Sequence, residues 1–272
     1  MLKLIDRIHP LVILGISSWV ALAVLGVLPD WVFAEVRYVN STLSFLIMAL
    51  CGLILIRLFR LQTWAYFRLP QKSKLTAAAF AVVAIVTVPP IFSVDREGKS
   101  LSMGLLAIFF LFSIGLGEEI FSRGFHYGYL EKYGRYLAVI VSSFIFGLMH
   151  LNRYIGDSWD SWRAYSHVIT AFGFGLLACA LMIATKSIWV AVLFHTLANW
   201  DLAFERVGVS SAQMVLSEHF LGRLLMPVMH LSFSAVLAFM LLWFSAGSGL
   251  PQLTQRLMVS WKLVETERNG SR

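Results

Sequence analysis

Glu118 and Glu119 stand side by side at the end of the apolar run 101–117, and Arg123 follows the second of them by four residues. Farther along, Phe146 precedes His150 by four residues and His195 precedes Asn199 by four, each pair inside an otherwise apolar run. Carboxylate, imidazole and amide groups held away from bulk water are the set that activates a water molecule and holds the oxyanion of a tetrahedral intermediate. The chemistry they suggest is hydrolysis of an amide bond.

Successive residues on a helix point about 100° apart, so the two glutamates serve different targets. Glu119 lies one turn before Arg123, the favourable order for an intrahelical ion pair, and an arginine in an apolar run needs such a partner. That leaves Glu118 as the carboxylate not committed to Arg123 and the candidate general base. Phe146 and His150 share a helical face, as do His195 and Asn199. An amide and an imidazole are both hydrogen-bond donors, and oxyanion donors contribute about 3 to 4 kcal/mol each to transition-state binding. An interhelical hydrogen bond in a membrane contributes only about 0.6 kcal/mol on average, and any one of these residues alone has that structural explanation. Glu118, Glu119, His150, His195 and Asn199 together, on three successive apolar runs, favour a site.

Such residues need rigid apolar elements to hold them. The 272 residues are 58% hydrophobic and only 14% charged, the composition of an integral membrane protein and not of a soluble domain. A spanning helix takes about 20 mostly apolar residues, and runs of that kind lie at 11–28, 42–58, 75–94, 101–124, 136–151, 166–184, 188–201 and 224–245, the fifth and seventh being short. The expectation is an all-α integral membrane protein of about eight transmembrane helices enclosing a polar intramembrane cavity. One polytopic domain covers 1–272, with a motif-bearing core at about 101–201 and a cytoplasmic tail at about 246–272.

With the N-terminus inside, the predicted cytoplasmic segments hold most of the 22 Lys and Arg residues, among them Arg57, Arg60, Arg68, Lys72 and Lys74 in one loop. That asymmetry predicts a multi-pass protein of a bacterial inner membrane with both termini cytoplasmic. The net charge of +7 then reflects topology and attraction to the lipid bilayer, not nucleic acid. Residues 11–28 read as a first helix and not a cleaved leader, because the apolar stretch is long and Leu28-Pro-Asp-Trp31 is a poor cleavage site. Trp64, Tyr66 and Phe67 in the 57–74 loop, and Tyr154, Trp159 and Trp162 in an outer loop at 152–165, fit headgroup-level aromatic belts. Cys51 and Cys179 read as small core residues. Pro89-Pro90 is expected to end or kink the third helix, and Pro227 is tolerable near the start of the eighth. For Glu118 and His150 to meet, the fourth helix must extend past Gly124 to about Leu130.

The motifs EExxxR at 118–123, FxxxH at 146–150 and HxxxN at 195–199, in this order on successive apolar helices, resemble the CAAX-protease and bacteriocin-processing family of intramembrane proteases. The resemblance implies an eight-helix membrane fold and a glutamate-dependent peptidase. In it Glu118 and His150 activate water, His195 and Asn199 stabilise the oxyanion, and Glu119, Arg123 and Phe146 support them. The resemblance does not carry over a substrate; for a peptidase with its site inside the bilayer the expectation is a membrane-anchored, C-terminally hydrophobic or lipidated protein or peptide.

Rival readings draw on the same residues. Carboxylate and imidazole are zinc ligands, and Glu118, His150 and His195 form the three-ligand set a catalytic zinc would use. No HExxH pair exists, and a reaction without cofactor or metal is favoured. A non-catalytic peptide-binding or immunity protein on the same fold is the main alternative. A transporter is less favoured, for lack of repeat symmetry. Gly115-Leu-Gly-Glu118 is similar to an aspartyl-type GxGD signature, but no second carboxylate stands ready for a dyad, and there is no GxSG turn for a serine nucleophile. His126 and the histidines at 9, 167, 219 and 230 read as interfacial or structural residues, the last four at helix ends or in loops.

Overall fold

The computed structural model describes residues 10–27, 37–92, 101–154, 161–200 and 220–246. Among the described residues the chain is all helical. Eight helices follow one another: α1 Pro10–Val27, α2 Arg37–Leu58, α3 Lys74–Phe92, α4 Leu101–Glu119, α5 Arg135–Met149, α6 Ser161–Thr185, α7 Ile188–Ala198 and α8 Phe220–Ser245. The expected tail, residues 1–9, Trp159 and His219 lie outside the described residues.

Four helical stretches are long and apolar enough to cross a membrane, at Ser41–Leu58, Gly104–Tyr133, Ser161–Thr185 and Gly222–Ser245. Their outward faces carry Leu50, Phe109, Phe239 and Phe244 in exposed positions, which a hydrocarbon solvent accepts and water does not. The chain is an integral membrane protein. The remaining helices are shorter in their apolar parts, and the seventh run departs most from a full span. Its helix has 11 residues, about 16 Å of rise against a hydrocarbon layer of about 30 Å. It ends inside the bundle and carries His195 and Asn199 there.

The core is built on α6. From 177 to 185 every residue of this helix is buried, the pattern of a helix surrounded on all sides. It packs against α5, α7 and α8. Close approach is achieved with small residues, as is usual where lipid supplies no hydrophobic drive between helices. A Cβ on Gly115 would lie 2.8 Å from Val192 O of α7, and one on Gly117 would lie 2.5 Å from Phe45 O of α2. The Gly-Leu-Gly before the glutamates is therefore a two-sided packing surface, which accounts for its similarity to a protease signature. Cys179 is fully buried and Cys51 partly so, both as free thiols.

Several boundaries differ from those expected. The fourth helix does continue to Leu130, but not as a uniform α-helix: residues Ile120–Tyr127 form a π-helix, then Gly128–Leu130 returns to α and Glu131–Tyr133 to a 3-10 turn. Glu118 and Glu119 are the two central residues of the Gly104–Tyr133 stretch. α3 runs through Pro89-Pro90 to Phe92, because in hydrocarbon a helix is kept wherever its backbone has no other partner. α6 begins at Ser161, so Trp162, Tyr165 and His167 belong to a helix and not to an outer loop. Pro227 sits inside α8, as does His230.

Three turns meet at one end of the bundle. Gln71 N–H donates to Thr185 O at 3.3 Å, Ser187 Oγ donates to Arg68 O at 2.7 Å, and Thr63 Oγ1 donates to Gly124 O at 2.7 Å. From that end α5 climbs 15 residues before His150, about 22 Å. Glu119 stands 14 residues above Tyr133 on the lengthened α4, about 20 Å. The extension thus raises the glutamates to the level that His150 reaches.

Candidate active site

Glu118 and Glu119 are the last two α-helical residues before the π-helix, and all eight residues of that π-helix are buried. Single π turns inside α-helices recur at functional sites because they re-aim the side chains that follow. Here the wider turn follows both carboxylates directly. Glu118 is 6% exposed, Glu119 0% and Arg123 1%.

Glu119 is the junction of the cluster. Its Oε2 lies 3.1 Å from Arg123 Nε as an ion pair, the i,i+4 pairing its spacing suggests. Its Oε1 lies 2.7 Å from His195 Nδ1 of α7. A carboxylate accepts only, so the ring donates from Nδ1. That leaves Nε2 as the atom of His195 available for chemistry, and it stands 3.6 Å from Glu118 Oε2. This separation is too long for a direct hydrogen bond. Both atoms can nevertheless contact one oxygen placed about 2.8 Å from each. His195 thus lies between the two glutamates, in line with their different directions around the helix.

Phe146 joins the second histidine to the first. Its ring centroid lies 4.4 Å from Arg123 Cζ, 4.8 Å from the ring of His150 and 6.0 Å from the ring of His195. The guanidinium over the aromatic face is a cation–π contact, stronger where water is excluded. His150 is half-buried at the C-cap of α5, and its Nδ1 donates to Phe146 O at 2.8 Å. With Nδ1 carrying the proton, Nε2 of the neutral ring is an acceptor. Asn199 caps α7, half-buried, with its backbone N–H on His195 O at 3.2 Å.

Three further groups lie in this part of the bundle: His126 and His167, which read as interfacial or structural residues, and Phe174, which no motif marks. His167 packs its ring 4.5 Å from that of His150 and pairs through Nδ1 with Tyr154 Oη at 3.0 Å. The apolar run that begins at 166 places it at a helix end, whereas Asp160, a residue type that favours N-caps, directly precedes Ser161 and is the local signal of the earlier start. Phe174 of α6 stacks on Phe194 at 4.6 Å and meets the His195 ring at 4.7 Å. His126 is fully buried, with Nε2 3.2 Å from Ser17 Oγ and 3.4 Å from Ser18 Oγ of α1. Both hydroxyls donate to Leu14 O, so the imidazole is the donor between the helices.

For a metal the fit is poor. Among the described residues no three His, Cys, Asp or Glu side chains are grouped so as to hold an ion. Glu118, His150 and His195 are therefore not disposed as the three-ligand set.

Residues 100–200 match the family model of type II CAAX prenyl endopeptidases of the Rce1-like kind. Over that stretch the chain is similar to the Rce1-like family. The matched stretch is somewhat over a third of the chain and contains all three motifs, from Glu118 to Asn199. No curated protein matches the chain at a significant level. The Rce1-like stretch runs from α4 through α7, so α1, α2, α3 and α8 lie outside it.

Proposed function

We propose that this chain is an intramembrane endopeptidase of the CAAX-protease kind, cleaving a membrane-anchored, C-terminally hydrophobic or lipidated protein or peptide. The observation that carries the reading is the placement of His195 between two buried glutamates, Nδ1 on Glu119 and Nε2 facing Glu118. A structural cluster needs one counter-charge for Arg123, and Glu119 supplies it. The second carboxylate faces Nε2 of His195 at 3.6 Å, close enough for one oxygen to contact both, which is the placement a general base needs.

In this mechanism Glu118 takes one proton from a water molecule, whose other O–H stays intact and donates a hydrogen bond to His150 Nε2. The water oxygen attacks the scissile carbonyl carbon, and the carbonyl oxygen becomes the oxyanion. Asn199 donates to it, and so does His195 from Nε2 when both ring nitrogens carry protons. Glu118 returns its proton to the leaving amine as the C–N bond breaks, so the reaction consumes one water and needs no metal. Glu119 and Arg123 hold His195 in place, and Phe146 supports both. We place the chain as a single membrane domain with eight membrane-embedded helices and both termini cytoplasmic, in a bacterial inner membrane.

The test is Glu118→Gln in the purified protein reconstituted into vesicles. Mass spectrometry of membrane proteins incubated with the parental chain should show new C-termini that the variant does not produce. Equal cleavage by both proteins removes this mechanism, and a bound, uncleaved ligand retained by both would favour a binding protein instead.

A further inference from the structure

The loop between α2 and α3 carries charge and apolar surface that the site does not use. Arg60, Arg68, Lys72 and Lys74 are all exposed in it, and none of the four is ion-paired among the described residues. Trp64 is 42% exposed and Leu69 80% exposed in the same loop. Lys132 and Lys186, on the two turns packed beside it, are exposed as well. Cations interspersed with an exposed Trp and Leu at the mouth of a helix bundle fit the region where phosphate headgroups meet acyl chains.

The loop is not a loose tether. Its 3-10 turn Gln62–Tyr66 is fixed to α4 by Thr63, fully buried, which donates to Gly124 O at 2.7 Å. A π-helix shifts its hydrogen bonds by one residue relative to an α-helix, and this carbonyl lies in it, one residue past Arg123. The other end of the loop is fixed to the start of α7, where Ser187 Oγ donates to Arg68 O at 2.7 Å and Trp189 Nε1 to Phe67 O at 3.3 Å. Tyr66 is half-buried, and burial first, then the nearby Glu131, pushes its phenol up, so it stays neutral. One loop therefore ties together α4 and α7, the two helices whose carboxylates and imidazole meet.

We infer that the α2–α3 loop is a binding surface for anionic phospholipid headgroups, and that headgroups held there set the seating of α4 against α7. The partner is lipid phosphate in the bilayer plane, because the cations flank a Trp and a Leu that a soluble anion would leave in water. The coupling to catalysis rests on the peptidase reading, whereas the binding does not.

The test uses the full chain in nanodiscs or vesicles of phosphatidylcholine, with and without phosphatidylglycerol. The parental protein should retain phosphatidylglycerol through detergent exchange and melt at a higher temperature with it than with phosphatidylcholine alone. Arg68→Gln/Lys72→Gln/Lys74→Gln should lose retention by about fivefold per cation removed, the factor given by about 1 kcal/mol per Lys or Arg at an anionic surface. Thr63→Val should keep retention but uncouple it, so that phosphatidylglycerol no longer raises cleavage. Equal melting and equal retention in the two lipids, or a triple variant that behaves as the parent, overturns the inference. If no cleavage is found under any condition, the peptidase reading fails while retention and melting still decide this one.

Discussion

His195 donates from Nδ1 to Glu119 Oε1 at 2.7 Å. The partner carboxylate is committed on its other side to Arg123, so the ring is fixed in one orientation by a charge that is itself anchored. In the proposed mechanism this makes Glu119 the positioning group and Glu118 the reacting group, although they are neighbours in sequence.

Glu118→Gln and Glu119→Gln should therefore fail in different ways. The first should leave the melting temperature near the parental value and lower kcat by at least about a hundredfold, the usual contribution of a general base. The second should destabilise the fold by about 3–5 kcal/mol, because it leaves a buried guanidinium without its counter-charge. Thermal unfolding and single-turnover cleavage, measured side by side, separate the two. Matching losses of stability in both variants would remove the division of roles.

Asn199→Ala should lower kcat by about 10²–10³-fold and change KM little, the signature of a donor that acts only on the oxyanion. A rise in KM with kcat unchanged would instead make Asn199 a substrate-binding residue.

Gly117→Ala places a methyl group 2.5 Å from the Phe45 carbonyl oxygen, which neither backbone can accept without moving. A cost of about 1–3 kcal/mol is expected, as for overpacked cores generally. Gly104→Ala meets nothing within 4 Å and should be neutral or slightly stabilising, since Ala is the better helix former. Unfolding midpoints of the two variants check the contrast.

Chelation should leave cleavage unchanged, because no step of the mechanism passes through a metal. The measurement is the rate before and after exhaustive dialysis against a strong chelator, with elemental analysis of the purified protein. Loss of activity restored by added zinc would reinstate the metal reading and require His150, Glu118 and His195 to close together on the ion.

The sequence by itself determined the solvent and singled out the residues of the candidate site. An apolar composition admits only helices whose backbone bonds are internal, and an acid, two imidazoles and an amide in such helices are costly enough to stand out. It also determined the pairing of Glu119 with Arg123, since residues four apart on one helix are neighbours whatever surrounds them. Tertiary structure alone decided the rest. The π-helix after Glu119 leaves no local mark, because its extra residue per turn is stabilised by neighbours such as Thr63, 61 residues earlier in the chain. The start of α6, and with it the place of His167, falls ahead of the apolar run at 166, so hydropathy does not reach it although Asp160 before Ser161 is an N-cap type. The shortness of α7 matters only because α4 and α6 enclose it. Which nitrogen of His195 meets which glutamate is a relation between helices 76 residues apart, and only their packing fixes it.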